Sequence, residues 1–267
     1  MIAFYDITQY GDDNTMTQRA RILRIGLFLL SFGLIDYMYG SIFNRLIVSD
    51  TWFIVIYKVC GLVLVVILNR LITHQSFFWN LKISVGRTLL WLMAIGTLTL
   101  FAVYHPVNFI NALSEAATAA IAEELMFRGV LFPQLLKLTF NPKRRFNSTL
   151  LAIGLCGLIF GLWHFINLMH QPFLVTLCQV IEVSGMGCLL TAVYLRSRSL
   201  TLPIALHFWL DFVIRLNKSS YVPVSSSQIS VGTSIGHLCL YLAIALVIMP
   251  KKPILKYVQR FIPKLDF

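Results

Sequence analysis

The segment SEAATAAIAEELMFRGVLF, residues 114–132, is an apolar run that carries three ionisable side chains close together. Glu123, Glu124 and Arg128 would each cost about 2.5–3.5 kcal/mol at the centre of a bilayer, so we expect them to face a protein or water-filled interior. On a helix, Glu124 and Arg128 share a face and can pair, whereas Glu123 points about 100° away. The spacing therefore predicts one glutamate held by the arginine and one free carboxylate that is suited to general-base chemistry. The alternative is that the three side chains form ion pairs between helices and have only a structural role.

The rest of the chain places this segment in a membrane. Its 267 residues are 58% hydrophobic and 12% charged, against about a quarter charged residues in ordinary globular proteins. Apolar runs of transmembrane length recur along the whole sequence. They cover residues 25–46, 52–69, 88–104, 113–136, 149–167, 173–195, 201–216 and 231–249. We predict an all-α membrane protein of about eight transmembrane helices, with no separate soluble domain.

The basic residues indicate how the chain is oriented. The net charge is +11, and the lysines and arginines concentrate in every other loop between the apolar runs. The positive-inside rule then places both termini in the cytoplasm. We predict a cytoplasmic segment at 1–24, a membrane domain at 25–249 and a basic cytoplasmic tail at 250–267. The clusters form no basic face with interleaved aromatic residues, so nucleic acid is not an expected partner.

Two histidines lie in other apolar runs. His164 occurs in FGLWHFIN, residues 160–167, and His207 occurs in LPIALHFWLDF, residues 202–212, with Asp211 four residues later on the same helix face. Each histidine alone is more typical of packing inside a helix bundle than of catalysis. Two histidines and a glutamate pair on three helices of one small bundle are harder to attribute to packing.

These three stretches together resemble the motifs of a known protease family. EELMFR at 123–128, FGLWH at 160–164 and HFWLD at 207–211 are similar, in order and internal spacing, to the motifs of the CPBP family. That family comprises CAAX-prenyl-endopeptidase-like and bacteriocin-processing intramembrane proteases. The resemblance covers about residues 85–250.

The resemblance implies about eight transmembrane helices around a central conical cavity. It also implies that Glu123 and His164 activate a water molecule that attacks a peptide carbonyl, while His207 and the residue four later stabilise the oxyanion. The substrate would be a peptide or a membrane protein in the lipid bilayer of a bacterial cell, cleaved for processing or for self-immunity against a bacteriocin. The candidate catalytic set is Glu123, Glu124, Arg128, His164, His207 and Asp211.

One residue departs from the family pattern. The family commonly has Asn at the position of Asp211, and an ionised carboxylate cannot donate a hydrogen bond to an oxyanion. Asp211 could act if it were protonated, or by orienting His207.

Alternatives stay open on both chemistry and function. Glu123, His164 and His207 are also plausible ligands for a catalytic zinc with an open position, although no HExxH motif is present. A non-catalytic immunity or binding protein could retain the same fold. A transporter that carries protons on Glu123 and Glu124 is a third possibility, but the chain lacks the paired Gly/Pro-broken helices that such folds favour.

Overall fold

A computed structural model describes residues 16–46, 50–79, 85–104, 106–169, 171–217, 230–250, 254–259 and 261–262. Every regular element within these ranges is a helix. In chain order they are α1 (Gln18–Leu46), α2 (Asp50–Leu68), α3 (Val85–Tyr104), α4 (Pro106–Glu124), α5 (Phe132–Thr139), α6 (Arg145–Trp163), α7 (Phe173–Ser197), α8 (Thr201–Asn217), α9 (Val231–Ile248) and α10 (Ile254–Val258). Shorter turns of π-helix follow α2 and α4, at Asn69–Thr73 and Leu125–Leu131, and 3₁₀ turns flank α6, at Pro142–Arg144 and His164–Met169.

The all-α membrane architecture predicted from the sequence is confirmed. Each predicted span coincides with a long helix, and in the described part of the chain five helices are long and apolar enough to cross a membrane. These five are Gln18–Phe43, Trp52–Thr73, Pro142–Met169, Phe173–Ser197 and Val231–Ile248. The seventh predicted span corresponds to α8, which has 17 residues. The placement of both termini in the cytoplasm stays a prediction.

Ordered structure extends beyond both ends of the predicted membrane domain, whose bounds stay a prediction. Helix α1 begins at Gln18 rather than at residue 25, because the arginines before the apolar run are good helix formers with long stems that can hold their charges near a membrane surface. Part of the predicted basic tail packs into the protein. Phe261 is 1% exposed, and its ring contacts those of Phe78, Phe132 and Tyr194.

Glycines bring α6 and α7 into close contact. A Cβ atom added at Gly157 would lie 2.7 Å from the Ser184 carbonyl oxygen, and one added at Gly161 would lie 2.7 Å from the Val180 carbonyl oxygen. From the other helix, a Cβ at Gly187 would lie 2.8 Å from the Gly157 Cα atom. Small residues at such crossings let transmembrane backbones approach closely. This packing fixes the end of α6, where His164 lies.

A π-helical segment lies at the centre of the quoted stretch. Helix α4 ends at Glu124 and continues without interruption through Leu125–Leu131 into α5, and every residue of the π-helical segment is buried. Such segments are rare and are frequently found at functional sites.

The helices enclose a cavity of about 830 Å³. Its wall is formed by side chains of α1, α2, α4, α7, α8 and α9, together with the end of α6 and the turn that follows it.

Candidate active site

The cavity brings the three sequence motifs together. Its wall contains Glu123 from α4, His164 from the end of α6, and His207 and Asp211 from α8. These residues are up to 88 positions apart in the sequence, since the first is 123 and the last is 211. The tertiary fold therefore collects on one surface four of the six side chains in the predicted catalytic set.

The predicted pair of Glu124 and Arg128 is confirmed and lies behind this wall. Both side chains have an exposed fraction of 0%, and Nη1 of Arg128 lies 2.7 Å from Oε1 of Glu124. Nη2 of Arg128 also donates to the Gly187 carbonyl oxygen at 3.1 Å. The guanidinium lies 4.4 Å from the centroid of the Phe160 ring, a distance at which a cation is attracted to an aromatic face. The pair thus links the α4 segment to α6 and α7.

Glu124 has a second partner that the sequence analysis missed. Its Oε1 atom lies 2.8 Å from Nδ1 of His207. Because an ionised carboxylate only accepts hydrogen bonds, Nδ1 carries the hydrogen and donates it. The other ring nitrogen, Nε2, lies 3.8 Å from Oε2 of Glu123 and 3.9 Å from Oδ1 of Asp211. Glu124 therefore fixes the orientation of the His207 ring and directs Nε2 toward the two carboxylates of the cavity wall.

His164 is held in a similar way by the backbone. Its Nδ1 lies 2.9 Å from the Phe160 carbonyl oxygen, which can only accept, so the hydrogen is on Nδ1 and a neutral ring keeps its lone pair on Nε2. The Phe160 ring packs edge to face against His164 at 5.2 Å and against His207 at 5.9 Å. One buried aromatic side chain therefore positions both histidines.

The prediction that Glu123 is free is wrong. Nζ of Lys58, on α2, lies 2.6 Å from Oε1 of Glu123, and both side chains line the cavity. The two residues are 65 positions apart, so no helical spacing could reveal the pair. A signal was nevertheless present, because Lys58 is an ionisable residue inside the predicted span 52–69 and passes the same test that singled out Glu123.

Further intramembrane acids are paired between helices. Asp36 on α1 accepts hydrogen bonds from Tyr39, at 2.5 Å, and from Tyr57 on α2. Glu182 on α7 lies 3.0 Å from Nδ1 of His237 on α9. These contacts join neighbouring helices.

The side chains in this arrangement do not present a ready metal site. Among the described residues, no group of three or more His, Cys, Asp or Glu side chains is arranged to hold a metal ion. The ammonium of Lys58 also lies on the Glu123 carboxylate, which would be one of the zinc ligands predicted with His164 and His207. Chelation of zinc tests the metal alternative directly.

Comparison with known proteins agrees with this geometry. Residues 108–213 match the family model for type II CAAX prenyl endopeptidases of the Rce1-like type. The protease resemblance is confirmed. The Rce1-like segment contains every candidate catalytic residue that the sequence predicts, whereas Lys58 lies outside it. No curated protein and no solved structure matches the chain significantly.

The Rce1-like match indicates which class of enzyme this segment resembles. Over residues 108–213 the chain is similar to intramembrane peptidases of the CAAX type, and its long apolar helices indicate a multi-pass membrane protein.

Proposed function

We propose that the protein is an intramembrane endopeptidase that hydrolyses a peptide bond with a water molecule activated by Glu123 and His164. The observation that carries this proposal is the shared cavity wall. A carboxylate and an imidazole with a free ring nitrogen line it together, and Glu124 holds a second imidazole beside them.

The first step requires a base beside the water molecule. Glu123 accepts one proton from the water, and Nε2 of His164 holds the water by its lone pair. The water oxygen forms a bond to the carbonyl carbon of the substrate, and the π electrons of the carbonyl move to its oxygen. Positioned general bases of this kind typically contribute about 10²–10⁴-fold to the rate.

The second step requires hydrogen-bond donors for the oxyanion. A doubly protonated His207 donates Nδ1–H to Glu124 and offers Nε2–H to the oxyanion, while Asp211 at 3.9 Å holds the ring by charge. When the intermediate collapses, the oxyanion electrons re-form the carbonyl, the C–N bond breaks, and Glu123 returns its proton to the leaving amine. Such preorganised donors supply a large share of the rate enhancement in acyl transfer.

The size of the cavity suits a peptide. A volume of about 830 Å³ lies within the usual range for ligand sites, about 300–1,000 Å³. The wall mixes apolar side chains such as Leu210 and Ile214 with polar ones such as Gln179. From the family resemblance we further propose a bacterial cell-membrane protein that processes a peptide or protects against a bacteriocin. The proposal that both termini are cytoplasmic rests on the positive-inside rule.

Cleavage of a quenched-fluorescence peptide library by the detergent-purified protein tests the proposal. The wild type is compared with Glu123→Gln, which removes the base, and with His164→Gln, which removes the imidazole that holds the water; both roughly keep side-chain size. His237→Gln is the matched control, because it replaces an intramembrane histidine of α9 that pairs outside the catalytic set. Each protein is assayed with and without a strong zinc chelator.

We expect the wild type and His237→Gln to cleave. Glu123→Gln and His164→Gln should each lose at least about a hundredfold in kcat. Loss of wild-type cleavage on chelation would establish the zinc alternative. If the wild type is inert while peptides still bind in the cavity, the non-catalytic immunity or binding reading replaces the peptidase.

A further inference from the structure

Lys58 is a cation in the cavity wall that lies outside the family match. It belongs to α2, and the matched segment begins at residue 108. Its side chain is 25% exposed and its ammonium lies against Glu123, the proposed base. A lysine inside a membrane-spanning helix marks a functional site by default, and its partner is the first clue to its role.

One position in the cavity wall carries a hydrogen-bond acceptor where an oxyanion needs a donor. The residue four positions after His207 is Asp211, whose ionised carboxylate can accept hydrogen bonds but cannot donate one. An amide at that position would offer N–H groups to an oxyanion. The proposed mechanism, on which this inference rests, therefore takes its donor on α8 from Nε2 of His207, since Arg215 on the same helix is paired with Glu115.

We propose that Lys58 is a further catalytic residue, which donates a hydrogen bond to the oxyanion in place of the donor that Asp211 cannot supply. An ammonium has three N–H groups, and in the part of the chain that the structure describes one of them is used, on Oε1 of Glu123. The water that attacks the carbonyl is held by that same carboxylate. The oxyanion therefore forms beside Lys58, and the flexible four-carbon stem lets the ammonium reach it.

The positive charge suits this task better than a neutral donor would. Hydrogen bonds to an ionised partner are roughly twice as strong as neutral ones. The charge that develops on the carbonyl oxygen is a full negative charge, which is absent from the substrate. The interaction is consequently stronger in the transition state than in the bound substrate, and its loss should lower kcat with little change in KM.

The test is a set of Lys58 and Asp211 variants, assayed on a peptide that the wild type cleaves. Lys58→Met removes every donor and should lower kcat by about a hundred- to a thousandfold. Lys58→Gln keeps an amide N–H without the charge and should lose about tenfold or less, since a neutral donor keeps part of the interaction. Asp211→Asn, placed on Lys58→Met, should restore most of the lost kcat by supplying the missing amide.

Rescue by Asp211→Asn separates this role from a merely structural one. Asp211→Leu on Lys58→Met is the matched control, because it removes the same negative charge and supplies no donor. If Lys58 served only to balance charge, Asp211→Asn and Asp211→Leu would restore kcat equally or not at all, and either result would overturn the proposal. Wild-type activity in folded Lys58→Met would do the same. Should Lys58→Met fail to fold, equal loss of kcat in Lys58→Gln and in Lys58→Gln/Asp211→Asn would overturn it instead. A wild type that cleaves no peptide would refute the proposed peptidase function. A wild type that cleaves, with Lys58 variants that cleave equally well, would refute the role of Lys58 alone.

Discussion

The buried pair of Glu124 and Arg128 should be the most sensitive point of the fold outside the apolar core. Replacing Arg128 with Met removes a guanidinium that contacts Glu124 at 2.7 Å, the Gly187 carbonyl at 3.1 Å and the Phe160 ring at 4.4 Å. Replacing Glu124 with Gln removes the countercharge and keeps the shape. Arg128→Met leaves Glu124 with His207 as its one remaining partner among the described residues, and Glu124→Gln leaves the guanidinium without a countercharge in a fully buried site.

The expected magnitude follows from these contacts. Removing one member of a buried ion pair typically destabilises a protein by about 3–5 kcal/mol, whereas replacing both members by uncharged groups is often nearly neutral. We therefore expect each single variant to lower the free energy of unfolding by about 3–5 kcal/mol. Because the double variant also loses the charged contact of Glu124 with His207, it should stay destabilised, but by less than the sum of the singles, with a coupling energy of about 2–3 kcal/mol.

Unfolding in mixed micelles of increasing denaturing-detergent fraction gives the four free energies of this cycle. His237→Gln supplies the comparison with an exposed pair: its partner Glu182 has a side chain that is 37% exposed, so the loss should stay below about 1 kcal/mol. Additive effects of the two buried substitutions, with no coupling, would refute the reasoning that Arg128 is held chiefly by the charge of Glu124.

Two further predictions concern the packing of the helices. Gly157→Ala should destabilise the fold by about 1–3 kcal/mol, because the new Cβ would lie 2.7 Å from the Ser184 carbonyl oxygen and overpacks the crossing; Gly154→Ala, where the new Cβ meets nothing within 4 Å, should be neutral or stabilising in the same unfolding assay. Tyr57→Phe removes one of the hydrogen bonds that Asp36 accepts and should cost about 1 kcal/mol in that assay, and a wild-type stability would show that the bond contributes nothing.

The sequence could predict features that depend on neighbouring residues, but not contacts between residues far apart in the chain. The helices follow from apolar runs of membrane length, and the Glu124–Arg128 pair follows from a four-residue spacing within one helix. Both are local properties. The contact of Glu124 with His207 spans 83 positions and that of Glu123 with Lys58 spans 65. Such contacts depend on which helices become neighbours, and hydropathy carries almost no information about that.

The π-helical segment is a second feature that no pattern in the sequence predicted. Residues 125–131 contain no proline, and their apolar character is equally compatible with a regular α-helix. The wider turn is maintained by its surroundings, because all of its residues are buried against neighbouring helices. The local sequence does not predict the π-helix, because tertiary packing decides between two backbone forms of similar local energy.

The departure at Asp211 and the presence of Lys58 are better understood together than apart. Considered alone, Asp211 is the loss of a hydrogen-bond donor, and Lys58 is a charge with a high free energy of insertion in a membrane helix. In the cavity, Lys58 offsets Glu123 at 2.6 Å and Asp211 lies 3.9 Å from both Nε2 of His207 and Nε of Arg215. Glu123 and Asp211 thus each have a basic neighbour, which lowers the cost of holding these charges in the membrane. An amide at position 211 would supply a donor, but it would lack the negative charge that balances His207 when its ring is doubly protonated. With Lys58 and Asp211 instead, the donor lies on α2 and the negative charge stays on α8.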